Sequence, residues 1–236
     1  MSLSLEPHTR FPYYMSSILI LYDHSFAEEP IIVLIVGDAK ATFRIHRKLI
    51  CDASAMFRPA FLGNGTFTET EDQSMTLPED DVETVARFVQ WLYGQDYELA
   101  PNTDVPNTAK RYMQLAELYV LADKYDVTRL HNQIIDKLFE MKAKAISPPK
   151  LPLVMFVYQN TTAGASFRKL LVGYHVFHIN MDWYLEDHSK MLTAMPEFSA
   201  DLALAFARRA AGKYESPFLD PSSELHVAYK AKDKKS

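Results

Sequence analysis

The sequence contains a single cysteine, Cys51, and only seven glycines among its 236 residues. One thiol cannot form a disulfide within the chain, and a lone cysteine is typical of a reducing compartment such as the cytosol or the nucleus. So few glycines exclude a collagen-like or glycine-rich low-complexity chain. With 48% hydrophobic residues, the composition predicts a globular protein that is rich in helix.

Long hydrophobic runs and an excess of basic charge are also lacking. The longest candidate targeting segment is Met15 to Tyr22, and its unbroken apolar part, Ile18 to Leu21, is too short for a signal peptide or a membrane span. The formal net charge of −5 argues against nucleic acid as a partner, because phosphate binding needs a net basic face. We therefore expect a cytoplasmic or nuclear protein that binds neither membrane nor nucleic acid.

What the sequence does contain is a strand that passes directly into a pair of helices. Ile31 to Val36 is a continuous apolar run, which is typical of a strand buried on both faces. Thr42 to Ile45 alternates polar and apolar residues, as the second strand of a hairpin does. From His46 onward the apolar residues fall at helical spacing, and Ser54 is placed to cap a second helix.

The next elements follow from the same patterns. Residues 75–77 predict a short third strand, and Asp80 with Glu83 has the spacing of a capping box at the start of a helix. Residues 94–108 contain two prolines and predict a long loop. Two amphipathic helices come next, with a break between them near residues 126–127.

The prolines of residues 142–152 mark the clearest boundary in the chain, because proline interrupts helices. Residues 153–213 predict three more helices, the last of which ends with Gly212 in the left-handed conformation. Residues 214–236 are polar and end in lysines, so we expect a disordered basic tail that either aids solubility or forms a weak nuclear-import patch. Residues 1–29 form an N-terminal arm, in which a short helix or a weakly packed segment is equally compatible with the sequence.

Two groups of residues carry candidate chemistry. Cys51 with His46 as its base would make a thiol nucleophile, but Cys51 lies on an apolar helical face and no oxyanion-hole loop accompanies it. A second candidate is a zinc site, which needs three or four convergent ligands. Its ligands would come from His175, His178, Asp182, Asp187 and His188. Core packing is the simpler explanation of Cys51, and partly exposed positions on an amphipathic helix are the simpler explanation of the histidines. We therefore predict no enzymatic activity, no metal and no cofactor.

Several blocks of the sequence are similar to one known family. The stretch F-R-I-H-R-K-L-I-C-D-A-S-A-M-F at residues 43–57 resembles the signature of the BTB/POZ domain. The other matching blocks occur in the family's order: V-G-D at 36–38, F-L-G-N-G at 61–65, L-P-E-D-D at 77–81, F-V-Q-W-L-Y at 88–93 and L-A-D-K-Y-D at 121–126. The resemblance implies an α+β fold over residues 30–141, in which a small β-sheet is flanked by helices.

The second half of the chain resembles the helical extension carried by fungal BTB proteins. The matching blocks are V-Y-Q-N-T at 157–161 and M-P-E-F at 195–198. The resemblance therefore implies a BTB/POZ domain followed by an α-helical extension, acting as a protein–protein interaction module. In many BTB proteins a helix of the N-terminal arm exchanges between two protomers, and residues 15–22 are the candidate counterpart here.

The resemblance also implies a partner. In BTB proteins that bind a cullin scaffold, the loop before the third strand carries a hydrophobic residue, a spacer and a glutamate, and Phe67 and Glu69 stand at those positions. Tyr125 and Asp126 would border the same face, so the implied function is an adaptor for a cullin-based ubiquitin ligase that also binds an unknown client. The alternative is that Phe67 packs into its own domain. The protein would then be an oligomerisation scaffold or a transcription-linked regulator that does not bind cullin.

One departure from the family pattern concerns the dimer pocket. Many BTB domains pair an acid at the start of the first strand with the basic residue that follows the histidine. Arg47 keeps the basic residue here, but Ile31 stands at the acid position, with Glu28 and Glu29 just upstream. Because an unpaired arginine is unfavourable to bury, either Glu29 replaces the acid or the usual homodimer is altered.

Overall fold

The computed structural model describes residues 29–63, 72–143, 149–178, 190, 192–218 and 228–230. The predicted helix at residues 15–22 lies outside this part of the chain. The strands and helices, in chain order, are β1 Ile31–Val36, β2 Ala41–His46, α1 Arg47–Ala53, α2 Phe57–Leu62, β3 Ser74–Leu77, α3 Val82–Leu92, α4 Val105–Lys124, α5 Thr128–Ala143, α6 Leu151–Asn160, α7 Ser166–His178 and α8 Pro196–Ala210.

The three strands form one mixed sheet with the order β2-β1-β3. β1 and β2 are antiparallel, with Ile31 opposite His46, while β3 runs parallel to β1. The prediction that β1 is buried on both faces is wrong, because burial alternates along it. Ile32, Leu34 and Val36 are fully buried, whereas Ile31 is 44% exposed. One face of the sheet therefore packs on the core, as in other small sheets covered by helices.

The predicted passage from strand to helix at His46 is confirmed, since β2 ends at His46 and α1 begins at the next residue. The predicted cap at Ser54 is also confirmed. Its Oγ accepts hydrogen bonds from the backbone N–H groups of Met56, at 3.1 Å, and Phe57, at 3.0 Å. A side-chain acceptor at this position satisfies backbone donors that the first turn of α2 would otherwise leave unpaired.

The N-terminal cap of α3 differs from the sequence prediction by one residue. Asp81, not Asp80, is the cap, and its carboxylate accepts from the backbone N–H of Thr84 at 2.8 Å. The predicted loop over residues 94–108 is also too long, because α4 begins at Val105 with a proline in its first turn. Proline is well tolerated there, since its missing N–H would have had no partner within the helix.

The C-terminal end of α8 matches its prediction. Gly212 has a φ of +67°, its N–H donates to the carbonyl of Arg209, and the N–H of Lys213 donates to the carbonyl of Arg208. This pair of bonds is the Schellman arrangement, which uses glycine because other residues are strained at such a φ.

The second half of the chain packs directly on the first. The predicted boundary at 142–152 falls between α5 and α6, but the apolar core continues across it. The ring of Tyr119 in α4 contacts Phe167 in α7, with centroids 5.3 Å apart, and Tyr112 contacts Tyr174 at 6.5 Å. The hydroxyl of Tyr174 donates to the backbone carbonyl of Leu138 at 3.2 Å. The helices α6 to α8 therefore extend the core of the first domain.

The chain beyond α8 returns to this core. Phe218 packs on Tyr174, with ring centroids 4.5 Å apart, and Tyr229 packs edge-on against Phe139 at 5.7 Å. A Cβ atom on Gly173 would lie only 2.9 Å from the ring of Pro217, so the segment approaches α7 very closely. The prediction of disorder from residue 214 onward is therefore wrong for residues 214–218 and 228–230, because their aromatic side chains bury against helices.

The helices of the described part of the chain fall short of what a bilayer requires. None of them is both long enough and apolar enough to cross a membrane.

Candidate protein-interaction surface

The turn between α4 and α5 is fixed by hydrogen bonds from two other segments. The Oγ of Ser54 donates to the backbone carbonyl of Tyr125 at 2.5 Å. The hydroxyl of Tyr125 donates to the carboxylate of Asp80 at 2.5 Å, and the ammonium of Lys124 lies 2.8 Å from the same carboxylate. Burial and the bond to Asp80 raise the pKa of Tyr125, so its hydroxyl stays protonated and donating. The turn is thereby held against the start of α2.

A groove of about 520 Å³ lies beside this turn, which we call the α1–α5 groove. Its walls come from α1, from the end of α3 and from the start of α5. The main lining residues are Leu49, Asp52, Arg58, Trp91, Asp126 and Arg129. The groove therefore combines apolar surface with charges of both signs.

Several side chains of the α1–α5 groove make contacts within the domain. The guanidinium of Arg129 lies over the indole ring of Trp91, 5.3 Å from its centroid, and the indole N–H donates to the side-chain oxygen of Gln133 at 2.6 Å. The Nε of Arg58 donates to the backbone carbonyl of Cys51 at 3.1 Å. Because these side chains are already held in place, a partner would lose little free energy in ordering them.

The structure gives different outcomes for the partner-contact residues predicted from the sequence. Phe67 and Glu69 lie outside the described residues. Asp126 lines the α1–α5 groove and has a positive φ of 50°, which turns the chain sharply at that point. Tyr125, which was predicted to border the same face, is only 2% exposed and its ring stacks on Phe57 at 4.8 Å, so its side chain offers little surface to a partner.

A sequence model of the BTB/POZ domain family matches residues 31–142. Residues 31–142 form a BTB/POZ domain. Among solved structures, the BTB (Tramtrack and Bric a brac) domain of human gigaxonin is similar, at 15% sequence identity and a TM-score of 0.35, and the match covers 56% of this chain and 97% of that one. No curated protein matches the chain. BTB/POZ domains are interaction modules that bind other proteins and dimerise.

The acid expected in the dimer pocket of the BTB/POZ domain has a candidate replacement. The Oε1 of Glu29 lies 3.9 Å from the Nε of Arg47, and both side chains are largely buried. Ile31, at the family's acid position, is instead exposed at the edge of the domain. Glu29 is therefore an acid within ion-pair distance of Arg47, and the role of this pair in a dimer pocket stays a prediction.

Cys51 lies in the core of the BTB/POZ domain. It is 1% exposed, its Sγ lies 3.8 Å from the carbonyl of Phe57, and burial raises the pKa of its thiol. A reactive cysteine needs the opposite, an accessible site that favours the thiolate. The imidazole of His46 is engaged with the hydroxyl of Tyr93, 2.8 Å from its Nδ1. These surroundings are those of a structural cysteine.

The histidines that were candidate zinc ligands do not lie beside other possible metal ligands in the described part of the chain. His175 is buried and its Nδ1 lies 2.9 Å from the carbonyl of Leu171, as expected for a histidine packed within a helix. The other candidate ligands Asp182, Asp187 and His188 lie outside the described residues. Within the ranges that the structure describes, no three His, Cys, Asp or Glu side chains converge on a point where a metal could bind.

The buried histidines predict a loss of stability in acid. Burial lowers the pKa of His131 and His175 below the value of about 6.5 that they have in the unfolded chain. Below that pH the unfolded chain binds more protons than the folded one, so the free energy of unfolding falls as the pH falls from 6.5. Urea unfolding at fixed ionic strength between pH 7.5 and 5.5 measures the slope.

A substitution assigns part of that slope to one residue. We expect His175→Asn to reduce it by up to about 1.4 kcal/mol per pH unit, the value for one proton. Ile32→Val is the control, because Ile32 is fully buried in β1, away from α7, and does not titrate. That variant should lower the stability equally at every pH. An unchanged slope in His175→Asn would contradict the assignment.

Two features of this surface escaped the sequence analysis. The pairing of Trp91 with Arg129 joins two helices that are far apart in sequence, and only the block containing Trp91 stood out as a family signal. Asp80 was interpreted as a cap, although its carboxylate serves Tyr125 and Lys124. The sequence offers one local signal for this, namely that a second aspartate, Asp81, follows directly and can cap α3 instead.

Proposed function

We propose that this protein is a non-enzymatic adaptor that links a cullin-type ubiquitin ligase to a client protein. The observation that carries the proposal is the BTB/POZ domain at residues 31–142, with a groove beside the α4–α5 turn. The cullin would contact Phe67 and Glu69, with Asp126 at the border of the same face. A hydrophobic anchor beside a carboxylate suits such a contact, since the anchor supplies affinity and the charge supplies orientation.

The client would bind the helices α6 to α8 or the chain that follows them. These helices carry an exposed apolar side chain, Leu204, which is 51% exposed. The lone buried cysteine suits a protein that works in the reducing cytoplasm or nucleus. Homodimerisation through the pocket of Arg47 and Glu29 is compatible with this role.

Phe67→Ala is the direct test of the cullin contact. We expect it to weaken binding of purified cullin by about 2 kcal/mol, or roughly 30-fold, because truncating an aromatic hot spot removes most of its buried area. Isothermal titration calorimetry with the full chain measures the change. Thr68→Ala, which alters the spacer between the two predicted contacts, is the matched control and should bind as the unaltered chain does.

The alternative function predicts self-association in place of cullin binding. An oligomerisation scaffold or transcription-linked regulator would self-associate without binding cullin. The exposed Ile31 beside the pair of Arg47 and Glu29 is the feature that favours self-association. Size-exclusion chromatography with light scattering, with and without purified cullin, separates the two. A stable dimer that leaves cullin in its own peak would reject the adaptor function.

A further inference from the structure

A second cavity, of about 390 Å³, lies along the outer face of α5, and we call it the α5 cavity. Three of its lining residues are acidic: Asp96 from the loop before α4, and Asp136 and Glu140 from α5. Its two basic residues are each held against an aromatic ring. Arg129 lies over Trp91, and the ammonium of Lys137 lies 5.1 Å from the ring centroid of Tyr97.

The carboxylates of the α5 cavity differ in how they are paired. Asp136 forms an ion pair of 3.0 Å with the ammonium of Lys230. Asp96 and Glu140 are both exposed, and neither forms an ion pair with another residue in the described part of the chain. Burial raises the pKa of the Tyr97 hydroxyl to about 12, and the charges of Asp96 and Glu140 add to this rise, so both carboxylates lie near that hydroxyl. Two acids thus remain next to the point where Lys230 is bound.

The segment that carries Lys230 is anchored on the same helix. The ring of Tyr229 packs against Phe139 of α5, three residues along from Asp136. The sequence then continues K-A-K-D-K-K-S from residue 230, with three lysines at alternate positions, 230, 232 and 234, and a fourth at 235. In an extended chain, alternate side chains project to the same side, with a spacing of roughly 7 Å. These three lysines would therefore share one side.

The spacing of the acids on α5 is similar. Glu140 follows Asp136 by four residues, so the two side chains lie on one face of the helix about 6 Å apart along its axis. If Lys230 binds Asp136, an extended chain places Lys232 opposite Glu140. Asp96 faces the same cavity from the other wall and supplies the next carboxylate.

We propose that the C-terminal lysine segment, residues 230–236, is an internal ligand of the α5 cavity, with Lys232 paired to Glu140. Trp91 and Arg129 line both this cavity and the α1–α5 groove, so the segment would lie beside the surface assigned to partners. A partner that reaches Trp91 would have to compete with it. The proposal concerns the intramolecular contact and does not depend on cullin binding.

Zero-length carbodiimide crosslinking of the full chain, read by mass spectrometry, tests the contact. The described pair of Lys230 and Asp136 is the internal positive control. We expect a second crosslink from Lys232 to Glu140, found in the monomer and independent of protein concentration. Glu140→Gln should abolish it, whereas Glu98→Gln, which changes an exposed acid outside the α5 cavity, should leave it intact.

Several outcomes of the crosslinking experiment would overturn the proposal. Crosslinks of the lysine segment to acids elsewhere, crosslinks found only in a dimer, or no crosslink beyond Lys230 would each overturn the proposal. Absence of the Lys230 crosslink would remove the anchor and overturn it too. As a second measurement, a peptide of residues 230–236 should bind the chain truncated after Tyr229 but not the full chain, because a tethered segment outcompetes a free one. Equal binding to both chains, or to neither, would count against it.

Discussion

Replacing Arg168 with methionine should destabilise the protein by about 3–4 kcal/mol, because the buried guanidinium joins three helices. Its side chain is only 6% exposed. It donates to the backbone carbonyls of Tyr158 and Thr161, at the end of α6, and lies over the ring of Tyr158 at 4.4 Å. It also forms an ion pair of 2.5 Å with Glu197 in the first turn of α8.

The size of this effect comes from the carbonyls at the end of α6. The last carbonyl groups of a helix have no partner within it, and burying them unsatisfied is unfavourable by about 1–3 kcal/mol each. Methionine fills a similar volume but donates no hydrogen bond, so it would leave these groups without a partner. Arg168→Lys should fall between the two, because an ammonium keeps the charge but loses the planar set of donors.

Urea unfolding followed by circular dichroism measures the effect of Arg168→Met. Glu197→Gln is the matched control, because Glu197 is 70% exposed and removing its charge should change the free energy of unfolding by less than about 1 kcal/mol. A loss below about 1 kcal/mol in Arg168→Met, with an unchanged denaturant dependence, would show that the network contributes little.

Asp80→Ala should destabilise the protein by about 2–3 kcal/mol, more than the loss of the neighbouring helix cap. The carboxylate of Asp80 is only 9% exposed and accepts from the buried hydroxyl of Tyr125 as well as from Lys124. Without it the tyrosine hydroxyl loses its partner in a buried position. Asp81→Ala removes only the cap of α3, for which about 1 kcal/mol is typical.

A double-mutant cycle separates the hydrogen bond from the rest of the effect. Tyr125→Phe alone removes the hydroxyl and should destabilise by about 1–2 kcal/mol. The double variant should lose at least about 1 kcal/mol less than the sum of the single variants, because the same bond is counted in both. Equal losses in Asp80→Ala and Asp81→Ala, together with additive behaviour, would instead assign Asp80 a purely local role.

The parts of the fold that could be predicted depend on local patterns. The passage from β2 to α1 can be predicted because the spacing of the apolar residues changes at His46 from that of a strand to that of a helix. The cap at Ser54 can be predicted because the backbone N–H groups that it binds are only two and three residues away. The end of α8 is equally local, since Gly212 serves the last turn of its own helix. In each case the group and its partner lie within one or two turns of chain.

The remaining features depend on partners that are distant in sequence. Asp80 and Asp81 are equally good caps on local grounds, and only Tyr125, 45 residues further on, decides between them. The burial of Tyr125 itself is a tertiary property, so the sequence could not exclude it as a contact residue. The segment after α8 is polar on average, and its few aromatic residues, such as Phe218, determine where it packs.

The rings that join α4 to α7 bear on how this molecule can be divided. A fragment ending at residue 142 would satisfy the family pattern, yet it would leave Tyr112 and Tyr119 without Tyr174 and Phe167. Such a fragment would expose an apolar surface, to which chaperones and other copies of the fragment would bind. A chain expressed only to the end of the family match would therefore lose these contacts, and a stable fragment should extend at least through α7.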